Sequence, residues 1–98
     1  MKLEDEIGFP ALLEMVAEEN VELAHACLKL SRKYRQENPT PKSYTECFDA
    51  LFEEVADVIL CLNELLKSVD PEDVKKITAI KDAKQKRMKE RLQKNDSH

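Results

Sequence analysis

The stretch from Phe48 to Leu66 constrains this chain more than any other. Phe48, Leu51, Phe52, Val55, Val58, Ile59, Leu62 and Leu66 recur at helical spacing, and Ala50, Ala56, Leu60 and Cys61 leave little polar surface between them. A helix that is apolar nearly all round has to be covered on several sides. With 98 residues in all, the chain makes one domain with a modest core, residues 1–98 with its body at 10–94, and has few further helices to supply that cover. The expectation is an all-α antiparallel bundle of three long helices, completed by oligomerisation into a homodimer or homotetramer.

The rest of the chain agrees with helix. It holds one Gly and four Pro, 37% charged residues and 5% aromatics, too few breakers and β-formers for many short strands. Phe9 and Pro10 open a first amphipathic segment whose stripe is Leu12, Leu13, Val16, Leu23, Cys27, Leu30 and Tyr34, running to about Arg35. Glu37-Asn38-Pro39-Thr40-Pro41 breaks it, because a residue before proline is pushed out of the helical region. Ser43 followed by Glu46 reads as a capping box for the second helix, and Asp70-Pro71 with Glu72 and Asp73 starts a third that runs to about Lys94. Asn95 to His98 is expected to fray.

Other classes find little support. No run approaches the roughly 18 apolar residues of a membrane span, and Met1 to Glu6 is mostly charged where a signal peptide needs an apolar run, so no membrane and a cytoplasmic location are expected. Cys27, Cys47 and Cys61 lack CxxC spacing and nearby histidines, which reads as buried or half-buried thiols rather than a zinc site or disulfides. His25, on the polar side of its helix, and His98 give no footing for histidine nucleophilic chemistry.

Charge is segregated. Residues 1–74 carry 7 basic against 17 acidic side chains, a balance of −10, and residues 75–98 carry 9 against 3, a balance of +6. Within the acidic part, Glu19 and Glu22 fall roughly 60° and 120° from Val16, at the border of the first stripe. Glu54 and Asp57 fall roughly 100° and 160° from Val55 on the second helix, whereas Glu18 and Glu53 face away. Residues three apart are neighbours on a helix, so two such pairs on packed helices gather four carboxylates. Unneutralised, they repel one another and oppose folding; Mg²⁺, a hard cation preferring oxygen ligands, removes the conflict and keeps positions for water and phosphates. A solvated acidic face is the plainer reading of either pair alone.

The segments Glu18-Glu19-Asn20-Val21-Glu22-Leu23-Ala24 and Glu53-Glu54-Val55-Ala56-Asp57-Val58-Ile59 resemble the EExxEL and EExxDV signatures of the MazG-like all-α nucleoside triphosphate pyrophosphohydrolases, over about residues 10–66. The resemblance implies an oligomeric, Mg²⁺-dependent enzyme, with Mn²⁺ as substitute, that cleaves nucleoside or deoxynucleoside triphosphates to the monophosphate and pyrophosphate in nucleotide-pool house-cleaning. It implies Glu19, Glu22, Glu54 and Asp57 as metal ligands. Glu22 or Glu54, if not fully used as a ligand, can take a proton from water. On the third helix Lys84, Arg87 and Arg91 lie on the side of Met88 and Leu92, and their heads suit phosphate oxygens; a solvated basic helix is the alternative. A non-catalytic nucleotide- or protein-binding helical module is the runner-up function. A nucleic-acid contact by residues 75–94 is disfavoured by the pI near 5.2 and the lack of interleaved aromatics.

Overall fold

A computed structural model describes residues 1–37 and 41–96. The Asn38–Thr40 part of the expected break, and Ser97 and His98 of the expected frayed tail, lie outside the described residues. The helical class is observed: α1 (Leu3–Ile7), α2 (Phe9–Arg35), α3 (Tyr44–Lys67) and α4 (Pro71–Asp96), with no strand among the described residues. The chain divides into two compact units, 1–68 and 69–98.

In the first unit α2 and α3 pack along one another, and the short α1 lies against both. Sequence spacing marked the long helices but not α1, whose five residues carry three acids and too little periodicity to register. Gly8 joins α1 to α2 at φ +85°, a left-handed conformation that favours glycine. Its N–H donates to the Glu4 carbonyl at 2.8 Å, and its carbonyl accepts from Leu12 at 3.1 Å. The Leu3 N–H donates to Glu64 Oε2 at 3.4 Å, tying α1 to α3.

α2 ends at Gln36 in the left-handed region, φ 59°. The Glu37 N–H reaches back to the Arg32 carbonyl and that of Gln36 to Lys33, so the last turn keeps its acceptors occupied without a glycine. α3 begins with the expected capping box. The Ser43 hydroxyl accepts from the Glu46 N–H at 3.1 Å, and the Glu46 carboxylate accepts from the Ser43 N–H at 3.2 Å. That hydrogen bond from the Ser43 backbone holds the Glu46 carboxyl below its ordinary range. Caps of this kind contribute about 1 kcal/mol. Tyr34, Tyr44, Phe48 and Phe52 make a run of ring contacts at this end of the helix pair, with centroids 5.0 to 6.4 Å apart.

The buried and half-buried side chains define the seam. On α3 they include Cys47, Leu51, Glu54, Val58, Cys61 and Leu65, flanked by half-buried Phe48 and Glu64, and on α2 they include Leu12, Val16, Glu19, Leu23, Ala26 and Leu30. Both series alternate steps of three and four, the spacing of a coiled-coil core. This corrects the expected stripe on α3, because Phe52 and Ile59 are 60% and 53% exposed. Phe52, Ile59, Leu60 and Leu62 are exposed, and Cys47, Leu51, Val58, Cys61 and Leu65 supply the apolar part of the seam. Cys47 and Cys61 are buried as expected, but Cys27 is exposed.

The second unit is α4. Val74 is half-buried, and every residue from Lys75 to Asn95 is exposed. Pro71 opens the helix, and the Asp70 carbonyl accepts from Asp73 and Val74. Lys75–Glu72 and Lys76–Asp73 ion pairs lie three residues apart on its first turns. Such pairs support a polar helix by a few tenths of a kcal/mol each.

Candidate metal centre

The seam that packs α2 on α3 is apolar at most positions, and the exceptions sit together. Glu19 occupies an α2 seam position and Glu54 an α3 seam position, and both are half-buried. Exposed Glu22, one turn on from Glu19, joins them. One carboxylate oxygen from each of Glu19, Glu22 and Glu54 lies within 4.8 Å of the others. Glu19 Oε2 and Glu54 Oε2 are closed off from solvent and have no hydrogen-bond partner among the described residues.

A buried, unsatisfied polar atom costs free energy, and a buried charge without a partner costs more. Here two carboxylates are placed where a coiled-coil core takes Leu or Val. Both carboxyls are pushed above the ordinary value near 4.5, first by burial and next by the charge of Glu22. Asp57 adds to both. The same cluster, after burial itself, raises the Cys61 thiol through Glu19 and Asp57. Cys61 therefore packs as a protonated, inert side chain.

The donor set fits a hard divalent cation. Oxygen ligands about 2.1 Å from Mg²⁺ in an octahedron stand about 3.0 to 4.2 Å apart. The two orphaned oxygens, already shielded from water, are the ones a cation would satisfy.

Of the four ligands suggested by the sequence, the structure brings three together. Asp57 is exposed and outside the three-oxygen set, although near enough for its charge to act on Glu19, Glu54 and Cys61. Glu18 and Glu53 are exposed as expected. Lys84, Arg87 and Arg91 are exposed on α4, in the other unit. Within the first unit, cations also line a groove that the carboxylates border. A groove of about 250 Å³ between α2 and α3 is lined by Glu22, Glu54, His25, Lys29, Lys42 and Cys47, among others. Lys29 stands two turns beyond Glu22 on one face of α2, a spacing visible in the sequence and overlooked there. Lys42 precedes the α3 cap, where periodicity carries no signal.

These shifts set a direction for stability. Between the ordinary carboxyl value and the raised value in the fold, the folded chain holds more protons than the unfolded one, so stability falls as pH rises across that interval. Without divalent cations the thermal midpoint is expected to drop over this range, and millimolar Mg²⁺ or Mn²⁺ at neutral pH is expected to raise it. Scanning fluorimetry across pH with and without cation checks this; a cation-insensitive midpoint at neutral pH would remove the metal centre.

Comparison with family models, curated proteins and solved structures gives no match for this chain. Among the described residues no helix is long and apolar enough to cross a membrane.

Proposed function

We propose that this chain is a Mg²⁺-dependent nucleoside triphosphate pyrophosphohydrolase, cleaving nucleoside or deoxynucleoside triphosphates to the monophosphate and pyrophosphate. One observation carries the reading: carboxylates stand at facing seam positions of two packed helices, with shielded and unpartnered oxygens, next to a third carboxylate. A helical pair selected only for stability would place apolar residues there. The resemblance of the EExxE and EExxD segments to MazG-like pyrophosphohydrolases supplies the reaction class.

A Mg²⁺ ion held by Glu19, Glu22 and Glu54, with Mn²⁺ as substitute, would offset charge on phosphate oxygens and promote attack by water at neutral pH. Glu19, the ligand on the α2 seam, has no route to solvent for its Oε2 and serves as a fixed ligand. Glu22 is exposed at the groove edge and is the carboxylate free to take the proton of the attacking water. Oxygen from water adds to the α-phosphorus as the bond to the bridging oxygen breaks, and pyrophosphate leaves. Asp57 contributes negative charge that strengthens cation binding from the outside.

We also propose that a second copy completes the helical bundle. Val21 and Leu28 on α2, and Phe52, Ile59 and Leu60 on α3, are each more than half exposed, apolar surface outside the seam that favours self-association. Three free thiols agree with a cytoplasmic location. A non-catalytic binding module would use the same helices but has no need of carboxylates in the seam. The test is to incubate the purified chain with a panel of canonical and damaged nucleoside triphosphates and Mg²⁺. Release of pyrophosphate together with a monophosphate is expected; no turnover of any of them with Mg²⁺ or Mn²⁺ removes the assignment.

A further inference from the structure

The groove between α2 and α3 is polarised along its length. Glu22 and Glu54 line it together with the amines of Lys29 and Lys42, and His25 lies on the same wall. On α2, Glu22, His25, Ala26 and Lys29 follow one another at i, i+3, i+4 and i+7, and on α3, Cys47, Ala50 and Glu54 stand at i, i+3 and i+7. These spacings put each set on one helix face, with Glu22 and Lys29 about 10 Å apart along the axis. Small side chains form the floor, which leaves space between the charged ends.

A phosphate brought to these carboxylates by a cation has to be neutralised beyond the cation itself. Glu19, Glu22, Glu54 and Asp57 bring four negative charges, and one divalent cation leaves an excess of two. A phosphoanhydride adds more, so its far end needs cationic partners beside the metal centre. Lys29 is exposed and makes no salt bridge among the described residues, unlike Lys33, whose amine sits 4.7 Å above the Tyr44 ring. The volume of about 250 Å³ lies below the roughly 300–1,000 Å³ of a site that takes a whole small molecule, which fits a phosphate portion better than a complete nucleotide.

We infer that this groove is a phosphoanhydride subsite in which Lys29, assisted by Lys42 and His25, holds the pyrophosphate portion of the substrate whose other phosphate meets the carboxylates. The inference rests on the proposed hydrolase for what the substrate is, but on different side chains. Ammonium groups bind phosphate oxygens through charge-assisted hydrogen bonds.

The experiment is titration calorimetry of the full chain with inorganic pyrophosphate and with orthophosphate, in Mg²⁺, alongside Mn²⁺ binding followed by electron paramagnetic resonance without any phosphate. Lys29→Ala is expected to leave Mn²⁺ binding and the circular dichroism spectrum unchanged and to weaken pyrophosphate binding by roughly tenfold or more, Lys42→Ala to weaken it less, and Lys29→Arg to retain most of it. Pyrophosphate lacks a base, so this loss reports anion recognition alone. Metal binding with pyrophosphate affinity unchanged in Lys29→Ala overturns the subsite and leaves the metal centre standing. Lys29-dependent pyrophosphate binding in a chain that takes no Mn²⁺ supports the subsite and sinks the hydrolase. Binding of neither probe by the unsubstituted chain overturns both.

Discussion

Glu54→Gln is expected to lower triphosphate hydrolysis by roughly 10²-fold or more, through loss of a metal ligand, while making the cation-free protein more stable. The two effects have one cause. Glu54 sits in the α2–α3 seam with Oε2 shielded and unpartnered, its carboxyl raised by burial and by the charges of Glu22, Asp57 and Glu19. Glutamine keeps the shape, removes a negative charge from the cluster and supplies an amide that can donate to neighbouring carboxylates. The thermal midpoint without cations rises and its fall with pH becomes shallower, since one of the two raised carboxyls is gone. The increment that Mg²⁺ brings shrinks, because one ligand has been replaced by a weaker one. Pyrophosphate release and scanning fluorimetry on the same preparation measure both halves. A variant that hydrolyses normally, or that is destabilised and still responds fully to cation, would show that the carboxylate serves packing rather than a metal. Gains in stability on removing a functional group are the usual mark of a site kept at the expense of the fold.

The carboxylates were legible in the sequence, but their phase was not. Pairs three apart on consecutive helices identify Glu19, Glu22, Glu54 and Asp57 as neighbours without any tertiary information. Which of them point inward depends on which face of α3 meets α2. The sequence stripe is weighted by Phe52, Val55, Ile59 and Leu62, all exposed, whereas the packed seam uses Cys47, Leu51, Glu54, Val58, Cys61 and Leu65. The two faces are adjacent on the helix, and a sidedness of about 100° per residue cannot choose between them when both are apolar. The seam phase makes Glu54 an interior residue and leaves Asp57 outside. A heptad reading of α3 would have flagged Glu54 as a charged residue at a core position, the signal that periodicity alone dilutes.

Helix ends were legible wherever local chemistry fixes them. Ser43 with Glu46, and Pro71, act through the backbone of their own first turn, so sequence suffices. α1 and the left-handed Gln36 were not, because the former is shorter than two turns of pattern and the latter is a non-glycine residue in a glycine conformation. On α4, Ile77, Ile80, Met88 and Leu92 form a sequence stripe, yet all are about half exposed. Apolar spacing there fixes the helix and leaves open what covers it.

Leu12→Ala is expected to cost about 2–5 kcal/mol, a large share of the 5–15 kcal/mol typical of a domain. Leu12 is the one large side chain among the described residues with no exposed surface. It lies on the α2 seam one turn before Met15, which lines the contact region shared by α1 and α3 with Leu3, Leu60 and Cys61. The remaining buried side chains are Leu30, Cys47, Val58 and Cys61, so little other core can relax to fill the space. Loss of the isobutyl group removes both its transfer free energy and the contacts of the surrounding walls. For a chain of this size the midpoint should fall by roughly 10 °C or more, whereas Leu12→Met, which keeps the volume, should cost less than about 1.5 kcal/mol. Chemical denaturation of the two variants side by side measures the difference. Equal midpoints for alanine and methionine would mean that α1 and the N-terminal turns of α2 do not form the tightest part of the unit.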